Sequence, residues 1–217
     1  TSAIGINDGS GNGTNFLFEN KDNLDLTYGA IYVWDKSDES NGEDNYSVYS
    51  NASPAYDFQQ GQAFMIKMKN SVNQVIFKSE MQIHNPGLEL KSTKSVWPTI
   101  KLAASFAAQK SSTIIAFNNG MTKGLDPTYD AGLLKGSSNL AVYSRLVEDM
   151  GIPFAIQALP IIDINSTIVP IGLDFKTGGE VTFSAELINL SSECQLILEA
   201  KLSKIFTDLS QKIYKVS

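Results

Sequence analysis

Over residues 62–216 apolar and polar residues take turns in strand-length runs, cut by Gly, Asn, Asp and Pro. In the run 181–187, Val181, Phe183, Ala185 and Leu187 fall on one face, and Thr182, Ser184 and Glu186 on the other. A repeat of two matches a half-buried β-strand and no helix. The same rhythm predicts strands over residues 28–34, 46–49, 63–69, 72–77, 96–106, 113–117, 140–144, 154–159, 168–175, 180–188, 195–200, 205–209 and 213–216. Phe64, Ile66 and Met68 share one face of their run. Ile100, Leu102, Ala104 and Phe106 point inward from theirs, and Pro98 sets the start of that run at an edge or bulge. Turns are expected at Asn70-Ser71 and over 109–112. Residues 1–27, rich in Gly and Asn, read as a loop or edge segment, and 53–61 as a connection. Residues 118–136 are the longest irregular stretch, with Asp126-Pro127 placed to start one helical turn. Short strands with frequent turn signals predict an all-β fold, an antiparallel β-sandwich, jelly-roll-like with Greek-key connections.

Composition narrows this picture. A chain of 217 residues has room for one large β-sandwich or two small domains, and a single domain over 1–217 is the expectation, with enough core to fold without metal or disulfide. Mean hydropathy of −0.09 and the lack of a long apolar run exclude a membrane-spanning helix. A net charge of −6 and a pI near 4.8 repel phosphate backbones, so no nucleic-acid partner and no membrane insertion are expected. A divalent cation is the partner such acidity favours. The lone Cys194 forms no intrachain disulfide and reads as a buried thiol on a strand.

Candidate chemistry is sparse. Counting Asp8 as the first position, the stretch carries oxygen ligands at alternate positions, Ser10 and Asn12, then Gly13 for a sharp turn, Thr14, and Glu19 at the twelfth. That spacing is the one a calcium loop uses, because a hard cation wants six to eight oxygens. A solvated Gly/Asn loop explains the same residues. Asp126 and Asp130, four apart, suit one face of a helical turn and a second cation site, or simply a capped turn. No cofactor is required on this reading, and calcium is the optional one. His84 is the sole histidine, which excludes multi-histidine zinc sites, and no nucleophile elbow or phosphate loop is present. Aromatics crowd the first quarter: Tyr28, Tyr32, Trp34, Tyr46, Tyr49 and Tyr56. Exposed rings on a sheet stack on sugars, whereas buried ones fill a core. Tyr32, Trp34, Tyr46 and Tyr49 are the candidate binding residues.

Ordered pieces of the chain carry a family resemblance: Gly29-Ala30-Ile31-Tyr32-Val33-Trp34-Asp35, Gly61-Gln62-Ala63-Phe64-Met65-Ile66-Lys67, Gly124-Leu125-Asp126-Pro127-Thr128-Tyr129-Asp130-Ala131, Leu140-Ala141-Val142-Tyr143-Ser144 and Ala155-Ile156-Gln157-Ala158-Leu159-Pro160. Val169-Pro170-Ile171-Gly172-Leu173 and the closing Leu196-Ile197-Leu198-Glu199-Ala200-Lys201 with Thr207-Asp208-Leu209 continue the series. Across most of residues 28–217 the chain resembles the C-terminal β-rich region of Bacteroidetes secreted and surface proteins, which precedes a type IX secretion sorting domain. That family's usual Asn-Pro-aromatic-Pro-Ser segment is missing here, and so is the sorting domain, so the chain is expected to be a fragment of a longer one. The resemblance implies an extracellular or cell-surface setting and a non-catalytic β-sandwich. The expected function is adhesion or a structural block, with a protein or glycan at the cell surface and neighbouring domains of the parent chain as partners. The alternatives are a carbohydrate-binding module with a calcium-stabilised loop and a strand-donating subunit of an extracellular polymer.

Overall fold

The computed structural model describes residues 2–7, 14–35, 45–71, 74–83, 97–136, 138–149 and 151–216. The first part of the chain holds β1 (Ala3–Asn7), α1 (Phe16–Asn20), β2 (Ile31–Asp35), β3 (Asn45–Tyr49), β4 (Tyr56–Phe58) and β5 (Gln82–Ile83). The second holds β6 (Thr99–Phe106), β7 (Gln109–Asn118), β8 (Ala131–Gly132), β9 (Leu140–Ser144) and β10 (Phe154–Pro160). It continues with β11 (Ile171–Phe175), β12 (Val181–Ile188), β13 (Ile197–Ala200), β14 (Ile205–Asp208) and β15 (Tyr214–Val216). The all-β class expected from the alternation is the one observed.

The main sheet runs β11-β9-β10-β7-β6-β12-β15, with β8 also against β10, and curls into a half-barrel. Its backbone is the antiparallel trio β7-β6-β12. β6 meets β7 from Thr99↔Ala116 to Phe106↔Gln109, and β12 from Thr182↔Ser105 to Ile188↔Thr99. One pair departs from the antiparallel rule: β10 lies parallel to β7, from Ile156↔Ile114 to Pro160↔Asn118. A parallel partner needs a long crossover, and the chain between β7 and β10 supplies it. The expected turn over 109–112 is instead strand. The reversal sits at Ala107-Ala108, where Ala107 takes φ 51°, a left-handed conformation its sequence does not announce.

The two faces of the main sheet bury different cores. On the curled face, Leu102, Ala104, Val142, Val181 and Phe183 gather around Leu209. Ile100, Ile115, Phe117 and Leu159 continue it, with Leu187 against them. Val181, Phe183, Ala185 and Leu187 thus share the inner side, as the period of two requires. On the opposite face, Ala116, Ile156 and Ala158 meet Ala30, Tyr32 and Ala52 of the first part, beside Trp97 and Ala131. Alanines let the two parts approach closely.

The first part is layered on that face. β2 and β3 pair from Ile31↔Tyr49 to Asp35↔Asn45. Tyr32 on one side belongs to the shared core, while Ile31 on the other enters a second core with Ile6, Phe16, Leu17, Leu24, Phe58 and Met81. A three-stranded sheet, β4-β1-β5, covers this second core. Residues 1–27 therefore do more than loop: β1 is the central strand of its sheet. α1 is started by Asn15, whose side chain accepts from the Phe18 N–H at 2.9 Å, and it buries Phe16 and Leu17. The expected strand over 63–69 makes only single bridges, Met65 to Tyr32 of β2 and Met68 to Leu24, with Phe64, Ile66 and Met68 on the second core. Of the expected strand over 72–77, residues 74–77 are not in strand conformation; residues 72 and 73 lie outside the described residues. No helix among the described residues is long and apolar enough to cross a membrane.

Candidate functional site

The four candidate aromatic residues do not form one platform, and strand parity is the reason. Trp34 lies opposite Tyr46, and the two rings meet edge to face at 5.0 Å. Tyr32 shares their face but is wholly buried, and its hydroxyl donates to the Gly132 carbonyl at 2.8 Å. Burial raises the pKa of that phenol, helped by nearby Tyr28 and Asp25. Tyr49, three residues from Tyr46, points to the other face, where its ring stacks on Tyr56 at 3.8 Å. What remains accessible is a pair: Trp34, 44% exposed, and the half-buried Tyr46, whose hydroxyl reaches the Met65 sulfur at 4.0 Å.

The acidic residues are used as structural ties. Asp8, Ser10 and Asn12 lie outside the described residues, as does His84. Thr14 is exposed, and Glu19 in α1 pairs with Lys78 at 2.5 Å, an engagement that competes with a bidentate cation role. Asp126 and Asp130 serve different partners. Asp126 Oδ2 accepts from the Thr122 N–H at 2.6 Å, whereas Asp130 Oδ1 accepts from the Ala158 N–H of β10 at 2.7 Å. Asp130 Oδ2 accepts from the Asp126 N–H at 2.6 Å. The segment is a tight reversal in place of the expected helical turn: Thr128 takes φ 67°, and the chain passes straight into β8. Asp130 is fully buried, and desolvation pushes its carboxyl up to about 7 against the pull of its two backbone donors. Among the described residues no group of three or more His, Cys, Asp or Glu gathers as a metal would require.

This reversal is the seam between the two parts. Ser50 Oγ donates to the Tyr129 carbonyl at 2.7 Å, and the Asn51 N–H to the Thr128 carbonyl at 2.9 Å. Asn7, also buried, donates to Ser50 and Ser53 and accepts from the Tyr56 N–H at 2.7 Å, which extends the polar seam to β1. Tyr129 stacks on Trp97 at 5.8 Å. Gly132 has room only as glycine: a Cβ there would stand 2.6 Å from the Tyr28 ring.

Sequence reasoning predicts strands over 195–200 and 205–209 but misses how much apolar side chain they leave exposed. β13 and β14 form a separate two-stranded hairpin, Ile197↔Asp208 to Ala200↔Ile205. Ile197 (51% exposed), Leu202 (104%), Ile205 (47%) and Phe206 (64%) lie on or beside it, with Ile213 (53%) following. The signal is available in Lys201-Leu202-Ser203-Lys204-Ile205-Phe206, where the strict alternation breaks and apolar residues collect around a turn. Cys194, expected on a strand, is half-buried in the connection before β13.

Residues 10–217 match the family model described as Domain of unknown function (DUF8693), so the chain belongs to that family. Neither the curated proteins nor the solved structures contain a match.

Proposed function

We propose that this member of the DUF8693 family is a non-catalytic extracellular β-sandwich module of a bacterial surface or secreted protein, acting in adhesion or as a structural block. The observation that carries the reading is the apolar hairpin of β13 and β14. Exposed apolar side chains grouped on one element mark surfaces that bind other macromolecules, and here they stand on or beside a two-stranded hairpin separate from the curled sheet. The partner is a protein or glycan at the cell surface or a neighbouring domain of the parent chain. The family resemblance supports the extracellular setting. Beads coated with the wild-type chain are expected to adhere to each other or to cell-surface material. Beads coated with a Leu202→Ser/Phe206→Ser variant lose that adhesion. Equal adhesion by both, or turnover on a panel of hydrolase substrates, overturns the reading.

A second reading, carbohydrate binding, rests on the exposed Trp34–Tyr46 pair. Edge-to-face rings with one open face suit the apolar side of a sugar. On a glycan array, Trp34→Ala loses binding while circular dichroism stays unchanged; an array blank for both proteins removes this reading. Calcium support of the loop predicts a higher melting temperature with the ion than with chelator. The polymer alternative draws on β15, which ends the main sheet with one edge unpaired among the described strands.

A further inference from the structure

We infer that a cavity in the β4-β1-β5 layer binds a small neutral aromatic compound, a ring bearing one hydroxyl. Neither the hairpin nor the Trp34–Tyr46 pair lines it, so it is a separate site. Its volume is ≈ 170 Å³. An apolar cavity of about 150 Å³ takes up benzene, so one six-membered ring is the size that fits. The walls are Phe58, Phe64 and Phe77 with Ile4 and Ile6. These rings belong to one series of contacts. Phe58 and Phe64 meet at 4.5 Å, and Phe64 and Phe77 each meet Phe16, at 5.8 and 5.2 Å. A ligand ring extends that series through the tilted and edge contacts that aromatic rings prefer. Phe77, 54% exposed, keeps one wall open to solvent.

The polar groups decide the rest of the ligand. No charged side chain is among the lining residues, so an ion entering from water would lose its hydration without gaining a partner. The amides come from one turn, Gln59-Gln60-Gly61-Gln62. The Gln62 N–H donates to the Gln59 carbonyl at 3.2 Å, and Gly61 takes φ 84°, which the third position of such a turn requires. Gln62 is already committed: its side-chain carbonyl accepts from the Gln59 N–H at 2.7 Å, and its amide nitrogen donates to the Tyr56 hydroxyl at 3.1 Å. The exposed amides of Gln59 and Gln60 are left to meet a ligand, beside the Ser2 hydroxyl. That set serves one hydroxyl well. A sugar ring carries hydroxyls around its whole edge, and each one buried without a partner costs free energy, so the lining favours the phenol over the sugar.

Titration with phenol, followed through backbone amide NMR shifts, tests it. Phenol is expected to move the amides of Ile6, Phe58, Phe64 and Phe77 saturably and to leave those of β6 and β7 in place. Cyclohexanol, of similar size but without a π-system, binds about two- to tenfold more weakly, and glucose does not bind. Phe77→Ala, at an exposed position, weakens phenol by about two- to tenfold. Gln59→Ala/Gln60→Ala, on the exposed turn, also weakens phenol by about two- to tenfold but leaves toluene, which lacks the hydroxyl, unchanged. Circular dichroism checks the fold of both variants, and Trp34→Ala leaves phenol binding as it is. The absence of a saturable shift with phenol overturns the inference, as does glucose moving the same amides. Cyclohexanol binding as tightly as phenol, or either cavity variant binding phenol like the wild type, overturns it too. N-acetyltyrosinamide binding more tightly than phenol would hand the cavity to a peptide and overturn the small-molecule assignment. Loss of bead adhesion in the hairpin variant concerns the other face of the question and moves none of these shifts.

Discussion

The sheet around β6, β7 and β12 and the layer built on β1 and β2 are held by different materials. The first is backbone: long continuous ladders, running along nearly the whole of β6 on both of its edges, over cores made of the sheet's own side chains. The second has short elements and fills the gaps with side chains. Asn20 donates to Phe16 and to Ile76 and accepts from the Ile76 N–H, and Asn7 does the equivalent for the 50–56 segment. Rings supply the rest, with Phe64 in contact with both Phe16 and Phe58. The difference teaches where stability is expected to be shared and where it is local. A ladder spreads stress along a strand, whereas a side-chain clasp fails at one residue.

Core truncation separates the two regions most strongly. Phe183→Ala, on the curled face, is expected to cost about 3–5 kcal/mol of global stability by urea denaturation. Phe16→Ala costs a similar amount, about 3–5 kcal/mol, but from the first layer, so that amides of that layer exchange faster while those of β6 and β7 hold. If Phe16→Ala lowers every amide equally, the two regions are one cooperative unit.

The seam comes next. Asp130→Ala leaves the buried Ala158 N–H without its acceptor, at about 1–3 kcal/mol, and the half-buried Asp126 N–H at less, because water can reach it. pH sharpens the same point. Because burial holds the Asp130 pKa near 7, above its value of 3.8 in an unfolded chain, the folded state keeps a proton that the unfolded state releases. Stability is therefore greatest at the acid side of that window and declines as pH rises from 3.8 to about 7. Asp25 and Asp174 shift the opposite way. Asp25 is desolvated, but the Tyr28 and Thr27 N–H groups and Lys67 outweigh this and lower its pKa; Asp174 is lowered chiefly by Lys135. Their effect falls below the window, so a denaturation midpoint that does not move between pH 4 and 7, or one that moves as much in Asp130→Ala, contradicts this assignment.

Smaller effects complete the series. Tyr32→Phe removes one buried hydrogen bond across the seam and is expected to cost about 1 kcal/mol. Trp34→Ala, at an exposed position, stays within about 0.5 kcal/mol of wild type while abolishing any glycan binding. A large stability loss there would make Trp34 a core residue.

Strands such as β12 were legible because their apolar residues alternate toward a core on one face. That is why the inward sets over 100–106 and 181–187 could be read from the period alone. β1 and β4 were not legible, since five and three residues beside Gly- and Pro-containing loops carry too little rhythm. The reversal at Ala107 was hidden because its φ is imposed by the two flanking strands. At the candidate site, parity already placed Tyr32 with Trp34, but which of them the main sheet would cover depends on long-range packing against Ala158 and Ala116. Asp126 and Asp130 stand out in the sequence as a pair, yet their partners, Thr122 and Ala158, are fixed by the reversal at Thr128 and by β10.

Native-state hydrogen exchange at low denaturant tests the two-region account most directly. The account predicts that amides of Leu102, Ile115 and Ala185 exchange only through global unfolding. Those of Ile4 and Phe58 open at a lower free energy, reduced further by Asp130→Ala with the sheet amides unchanged. A single opening free energy for all of them, or a first layer that outlasts the main sheet, would contradict it.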